Sequence, residues 1–308
     1  MENWLEESAR WLASDALRDP ATGHVLSWLN PAKPGYAYPE ATAWLVYVAS
    51  KWRRAGYAGP LLDAAQRYAE VLAQTVLADG LLSRSGRAYL FDSGVALAAL
   101  DAWGGFACAA DRLHEECLEL IRQERAVVDG PAFNETDPST RWSDAFGAHL
   151  LWLNIPLLAR GDGDNADRLT DRLLDACVRS DGAIAIHGRT RDCYTHSCCY
   201  AIDGLMARRD QESLDAARSA LDRLCAVFGG GLAHAWLDDS SSPPRLDASA
   251  QLKRLRSDYS LGLDTLASHA VGGGVPYEPS SADLNSWATA FLVEAGIALS
   301  EPLARKGP

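Results

Sequence analysis

Five residues able to move protons or hold charge recur at a nearly fixed interval. Glu40, Asp92, Asp144, His196 and Asp247 lie 52, 52, 52 and 51 residues apart, and Asn285 follows 38 residues later. Each opens an apolar run with helical character. Brought to one place, four carboxylates, an imidazole and an amide would supply the two roles of general acid–base chemistry, a group that gives a proton and a group that takes one. Asp92 follows Tyr89, Leu90 and Phe91, and Asp144 follows Trp142, so both have aromatic neighbours that can exclude water. Exclusion of water raises a carboxyl's proton affinity and suits it to act as an acid. A carboxylate exposed at a helix N-terminus is instead held ionised by the helix dipole and the free amides, and acts as a base. Asp92 and Asp144 are therefore the first catalytic candidates and Glu40 the third. His196 could shuttle a proton near neutral pH or orient a carboxylate, and Asp247 and Asn285 would bind substrate. The same residue types are also favoured as helix caps, so any one opener says little. Six in register say more.

Such a ring requires helices to position it. A unit of about 50 residues has room for two helices and their connections. Pro60 to Leu77 carries Leu61, Leu62, Ala65, Tyr68, Ala69, Leu72 and Val76 on one side and Asp63, Gln66, Arg67 and Glu70 on the other, an amphipathic helix with one wet face. Trp4 to Leu17, Asn165 to Val178 and Gln211 to Val227 repeat that pattern. Ala41 to Ser50, Ser93 to Leu100 and Ala145 to Ala159 carry almost no charge on any face, which places them inside. Alternation of buried and half-exposed helices predicts an all-α (α/α)6 barrel of inner and outer layers, with residues 1–308 as one domain. An open solenoid would instead need dissimilar end caps. Gly23, Gly80, Gly130, Gly182, Gly230 and Gly274 precede the openers by 11 to 17 residues, and the connections they begin would wall one mouth of the barrel. Tyr38, Tyr89, Trp142, Tyr194, Tyr277 and Trp287 lie in or beside those connections, as does Tyr36. Their rings could stack on a ligand or plug the barrel top.

A formal charge of −12 argues against a nucleic-acid partner, because phosphate binding needs clustered Lys and Arg. The basic runs Lys51, Arg53, Arg54 and Lys253, Arg254, Arg256 fall near predicted helix ends, where the dipole favours cations. The N-terminus carries acids where an export signal would carry positive charge. The longest uncharged apolar run, Ala145 to Ala159, is shorter than the roughly 18 residues that suggest a membrane span. A cytoplasmic protein without a membrane partner is expected. Seven cysteines in that setting read as free thiols. Cys193, His196, Cys198 and Cys199 could be taken for a metal site, but adjacent cysteines on a helix point to different sides, and neither metal nor cofactor is expected. Gly272, Gly273 and Gly274 lack the following Lys and Ser or Thr of a nucleotide loop and read as a hairpin connection, with Glu278 as an additional carboxylate.

The segments Tyr38-Pro39-Glu40-Ala41-Thr42, Phe91-Asp92-Ser93-Gly94, Thr195-His196-Ser197, Cys198-Cys199-Tyr200-Ala201-Ile202-Asp203-Gly204-Leu205 and Asn285-Ser286-Trp287-Ala288 resemble the inner-helix openings of six-hairpin glycosidase-like (α/α)6 barrel proteins from bacterial polysaccharide and specialised-metabolism gene clusters. The resemblance runs from about Tyr38 to Ala295. It departs where Ala43-Trp44 replaces a Thr-Gly-Tyr triplet, adding bulk near the mouth. The likeness implies a carbohydrate-active enzyme that breaks a glycosidic bond with paired ring carboxylates. The same ring could serve non-hydrolytic elimination, epimerisation or cyclisation, and the fold alone also admits a binding or scaffold barrel. A small molecule or oligosaccharide would be the ligand, and a partner subunit could close the loop-lined mouth.

Overall fold

The computed structural model describes residues 3–129, 141–188 and 192–304. Twelve helices follow in order: α1 (Asn3–Leu12), α2 (Pro39–Arg54), α3 (Pro60–Asp79), α4 (Leu90–Trp103), α5 (Ala107–Arg122), α6 (Asn154–Ala159), α7 (Gly163–Cys177), α8 (Thr195–Arg208), α9 (Gln211–Phe228), α10 (Leu246–Leu255), α11 (Leu263–Ala267) and α12 (Ser286–Ala304). Each even-numbered helix packs on the next even-numbered one, and α12 returns to α2, closing an inner ring. Each odd-numbered helix backs onto an inner neighbour from outside. None is long and apolar enough to cross a membrane.

The two layers follow from the two sequence patterns. In α3 the buried residues Leu61, Ala64, Ala65, Tyr68, Leu72 and Val76 form a single stripe, while Gln66, Arg67 and Glu70 stay in water. In α4 every residue from Leu90 to Leu100 is buried. Close packing of the inner ring leans on small residues: a Cβ at Gly204 of α8 would lie 1.9 Å from the Leu151 carbonyl oxygen, so this approach is open only to glycine.

The third inner element departs from the predicted Ala145–Ala159 helix. Asp144 ends a 3-10 turn (Trp142–Asp144), Ala145 and Gly147 have extended backbone, and a second 3-10 stretch (Ala148–Leu153) leads into the short α6. Two local causes are visible. Ala148 donates its N–H to the Ile186 carbonyl at 2.9 Å, which pulls the chain out of helix. Pro156 has no N–H to give Trp152 and is tolerated only in the first turn of a helix, which restarts α-geometry at Asn154. The connection that opens at Gly130 lies outside the described residues up to 140.

Short strands stitch the mouth. β1 (Trp28–Leu29), β2 (Ser83–Arg84), β3 (Arg87–Tyr89), β4 (Val127–Val128), β5 (Val275–Pro276) and β6 (Leu284–Asn285) form two three-stranded sheets, ordered β1-β6-β5 and β2-β3-β4. The first ties the opening hairpin to the last one. The second turns on Ser85 (φ 53°) and Gly86 (φ 77°), both left-handed, as a two-residue hairpin loop requires.

One turn below the openers the barrel is filled by rings. Trp44 stacks on Tyr200 at 5.6 Å and meets Phe291 and Trp152 edge-on at 4.9 and 5.1 Å. The added bulk of Trp44 thus forms a floor, and the mouth is a pocket rather than a tunnel. About two to three turns below the openers, Lys51, Asp203, Arg254 and Glu294 meet. They come from α2, α8, α10 and α12, and Arg254 binds Asp203 through two hydrogen bonds of 3.0 and 2.8 Å. Lys51 and Arg254 occupy helix ends as expected, yet they turn inward to this cluster instead of outward to solvent.

Candidate active site

A cavity of about 150 Å³ opens where the inner helices begin. Glu40, in the first turn of α2, and Asp92, in the first turn of α4, both line it. Their settings differ. Tyr38 donates its hydroxyl proton to Glu40 Oε2 and Trp44 donates its indole N–H to Oε1 at 3.2 Å, so both carboxylate oxygens are held as acceptors. Arg84 of β2 donates to the Tyr38 hydroxyl at 2.8 Å and lies over the Tyr38 and Tyr89 rings. Asp92 is 3% exposed and is bound by no other side chain in the described structure. Burial raises the Asp92 carboxyl well above its ordinary 3.8 and the charge of Glu40 raises it further, while Arg84 and a backbone hydrogen bond oppose the shift. Burial raises Glu40 as well, but the Tyr38 hydrogen bond, Arg84 and the Trp44 hydrogen bond all pull it back. Of two carboxyls in one cavity, Asp92 is the one whose surroundings favour the proton more strongly, and Glu40 the one whose partners favour the charged form.

The opposite wall holds His196. Its Nδ1 lies 3.1 Å from Asp247 Oδ2, off the ideal hydrogen-bond line. Asp247 is gripped by Arg245 through two contacts of 3.2 Å, Arg245 donates to the Tyr194 hydroxyl at 2.7 Å, and that hydroxyl meets Tyr277 Oη at 3.0 Å. Burial depresses His196 to about 4 despite the adjacent Asp247 charge, so at neutral pH it is an uncharged imidazole. A proton on Nδ1, facing Asp247, leaves Nε2 as the basic atom.

The structure gathers some of the expected residues and separates others. Glu40, Asp92, His196, Tyr38, Trp142, Tyr277 and Trp287 share the cavity, joined by Tyr36. Asp144 does not line it: its Oδ2 accepts the Arg141 backbone N–H at 2.8 Å, capping its own 3-10 turn. Asp247 is fully buried behind His196 and does not reach the cavity as a substrate-binding group. Asn285 caps α12, accepting the Ala288 N–H at 2.9 Å. Tyr89 and Tyr194 stand behind the lining, under Arg84 and beside Arg245. Cys193 contacts the Ile184 carbonyl and not a metal set, and among the described residues no group of three His, Cys, Asp or Glu side chains is placed to hold a metal ion. His149 is fully buried, with both ring nitrogens lacking a hydrogen-bond partner in the described structure.

Three arginines at the mouth are absent from the sequence reading. Arg245 had a signal, since it stands two residues before its opener, where Tyr38, Trp142 and Tyr194 precede theirs. Arg84 had none, because the β2–β3 turn alone brings it over Tyr38. Arg141 borders the cavity at the rim.

No protein-family model matches the chain, and no curated protein matches it. Solved structures match nearly its whole length. A glycosidase variant in complex with glucose superposes with a TM-score of 0.66 at 14% identity over 97% of both chains. An alpha-amylase from Clostridium perfringens gives 0.70 at 10% identity over 96% of this chain and 97% of that one. A cellobiose 2-epimerase from Bacillus thermoamylovorans gives 0.69 at 10% identity over 96% and 99%. The chain has the six-hairpin (α/α)6 barrel fold.

Proposed function

We propose that this barrel is a carbohydrate-active enzyme that hydrolyses a glycosidic bond at a sugar held in the mouth cavity. One observation carries the reading: Asp92 and Glu40 share the cavity, and their surroundings push their proton affinities apart. Protonated Asp92 gives its proton to the glycosidic oxygen as the bond from that oxygen to the anomeric carbon breaks. Glu40 takes a proton from the water that adds to the anomeric carbon, and the products are a free sugar and an alcohol. Tyr38, Tyr277 and Trp287 offer ring faces and edges for the apolar side of the sugar. The names of the structural neighbours, a glycosidase bound to glucose, an amylase and a cellobiose epimerase, agree with a carbohydrate ligand.

A second reading uses His196. An uncharged imidazole oriented by Asp247 at the cavity wall is a base for removing a proton from a sugar carbon, as epimerisation or elimination needs. Product analysis by NMR separates the two, with p-nitrophenyl glycosides and unsubstituted disaccharides as probes. Hydrolysis releases nitrophenol or a monosaccharide, and Asp92→Asn abolishes that release. An epimeric or unsaturated product that depends on His196 and survives Asp92→Asn would overturn the hydrolytic reading.

A further inference from the structure

The cavity also carries a charge that neither reading uses. Its lining holds two carboxyls, Glu40 and Asp92, whose proton affinity burial raises, and the uncharged imidazole of His196. Arg84 and Arg141 supply two positive charges. Two guanidiniums at one cavity stand out in a chain whose formal charge is −12. The two arginines are not equivalent. Arg84 is engaged by the Tyr38 hydroxyl and two aromatic faces, and its charge sits beside Glu40 and Asp92. Arg141 is exposed and lines the cavity at its rim. A guanidinium offers a planar set of donors that matches a carboxylate or sulfate two-pronged. The aromatic floor closes the space below, so a cavity of about 150 Å³, under the usual range for drug-sized ligands, suits one ring entering end-on.

We propose that the cavity selects a terminal sugar ring bearing an anionic substituent, a carboxylate or a sulfate, which Arg141 binds at the rim. This rests on the reading of the cavity as a sugar site. The carboxylate and sulfate share the recognition chemistry, and the geometry of the ligand decides between them.

The test is the binding of glucuronate, glucose 6-sulfate and glucose to the wild-type protein and to Arg141→Gln, by calorimetry at low and high salt. A charge-assisted hydrogen bond contributes about 1.5–3 kcal/mol, so the wild type should prefer one of the anionic sugars to glucose by roughly 10- to 100-fold. In Arg141→Gln that preference should disappear, and in the wild type salt should weaken it. Preference for glucuronate alone would identify a carboxylate, and preference for glucose 6-sulfate alone a sulfate. Equal binding of all three sugars, or an anion preference that survives Arg141→Gln with an unchanged melting temperature, overturns the proposal and leaves the hydrolytic reading standing. Failure of all three to bind overturns the sugar site and the proposal together.

Discussion

Two sets of buried charges sit on the inner ring of helices, about two to three turns apart, and they are built differently. At the far end of the barrel, Lys51 and Arg254 face Asp203 and Glu294, two positive charges against two negative. Trp152 completes Asp203 with an indole N–H at 3.2 Å. Burial would raise Asp203, but Arg254 and its hydrogen bonds outweigh it and hold the carboxyl below its ordinary 3.8. At the mouth, Asp92 has Glu40 for a neighbour and no side-chain partner among the described residues, and its carboxyl moves the opposite way. Paired charges fasten α2, α8, α10 and α12 together. An unpaired carboxyl in a cavity is left free to react.

The comparison can be broken at either end. Asp92→Asn should lower turnover by about 10²- to 10⁴-fold, while the melting temperature stays level or rises because an amide of the same shape replaces a buried carboxyl that no side chain holds among the described residues. A large loss of stability would instead make Asp92 a structural member like Asp203. At the far end the effects should be reversed in kind. Arg254→Met leaves Asp203 and Glu294 buried without their main counter-charge and should cost about 3–5 kcal/mol in urea unfolding, with the cavity chemistry intact in the folded fraction. Replacing Lys51, Asp203, Arg254 and Glu294 together by apolar residues of similar volume should recover most of that loss.

Acid offers a third test. His24 and His196 are held near 4 and His149 near 3, each chiefly by burial, against an ordinary 6.5. The unfolded chain therefore takes up these protons first as pH falls. The stability they contribute is present above 6.5 and lost as pH drops through about 4, with a slope of up to about 1.4 kcal/mol per pH unit for each group. Asp92 has the opposite sign: its contribution is present at low pH and is lost as pH rises through its elevated value. Urea midpoints between pH 7 and 4.5 should fall, and a flat profile would contradict the burial of the imidazoles. The smallest effect concerns His149. His149→Phe removes two unpaired ring nitrogens from an apolar site beside Phe91 and Trp142, and should change stability by less than about 1 kcal/mol or improve it.

Much of the architecture was legible because it is written in local pattern. The interval between openers and the contrast between amphipathic and uncharged runs prescribe hairpins that close into a ring. The distortion at Ala145 was less legible, since it depends on a hydrogen bond to Ile186, 38 residues beyond Ala148. The site was half legible. Glu40, Asp92 and His196 declare themselves by type and register, but register cannot tell a carboxylate that faces a cavity from one that caps its own turn, as Asp144 does. Glu294 and Asp203 could have been flagged as lone charges inside apolar helices, which need buried partners.

The most direct measurement is the protonation state of Asp92 itself, followed by carbon NMR of the labelled aspartate carboxyls and assigned with Asp92→Asn. The account predicts that Asp92 is still protonated at pH 7 and that Glu40→Gln moves its titration down toward 3.8. An Asp92 carboxyl already ionised at pH 7, and indifferent to Glu40→Gln, would contradict the division of roles between the two carboxyls.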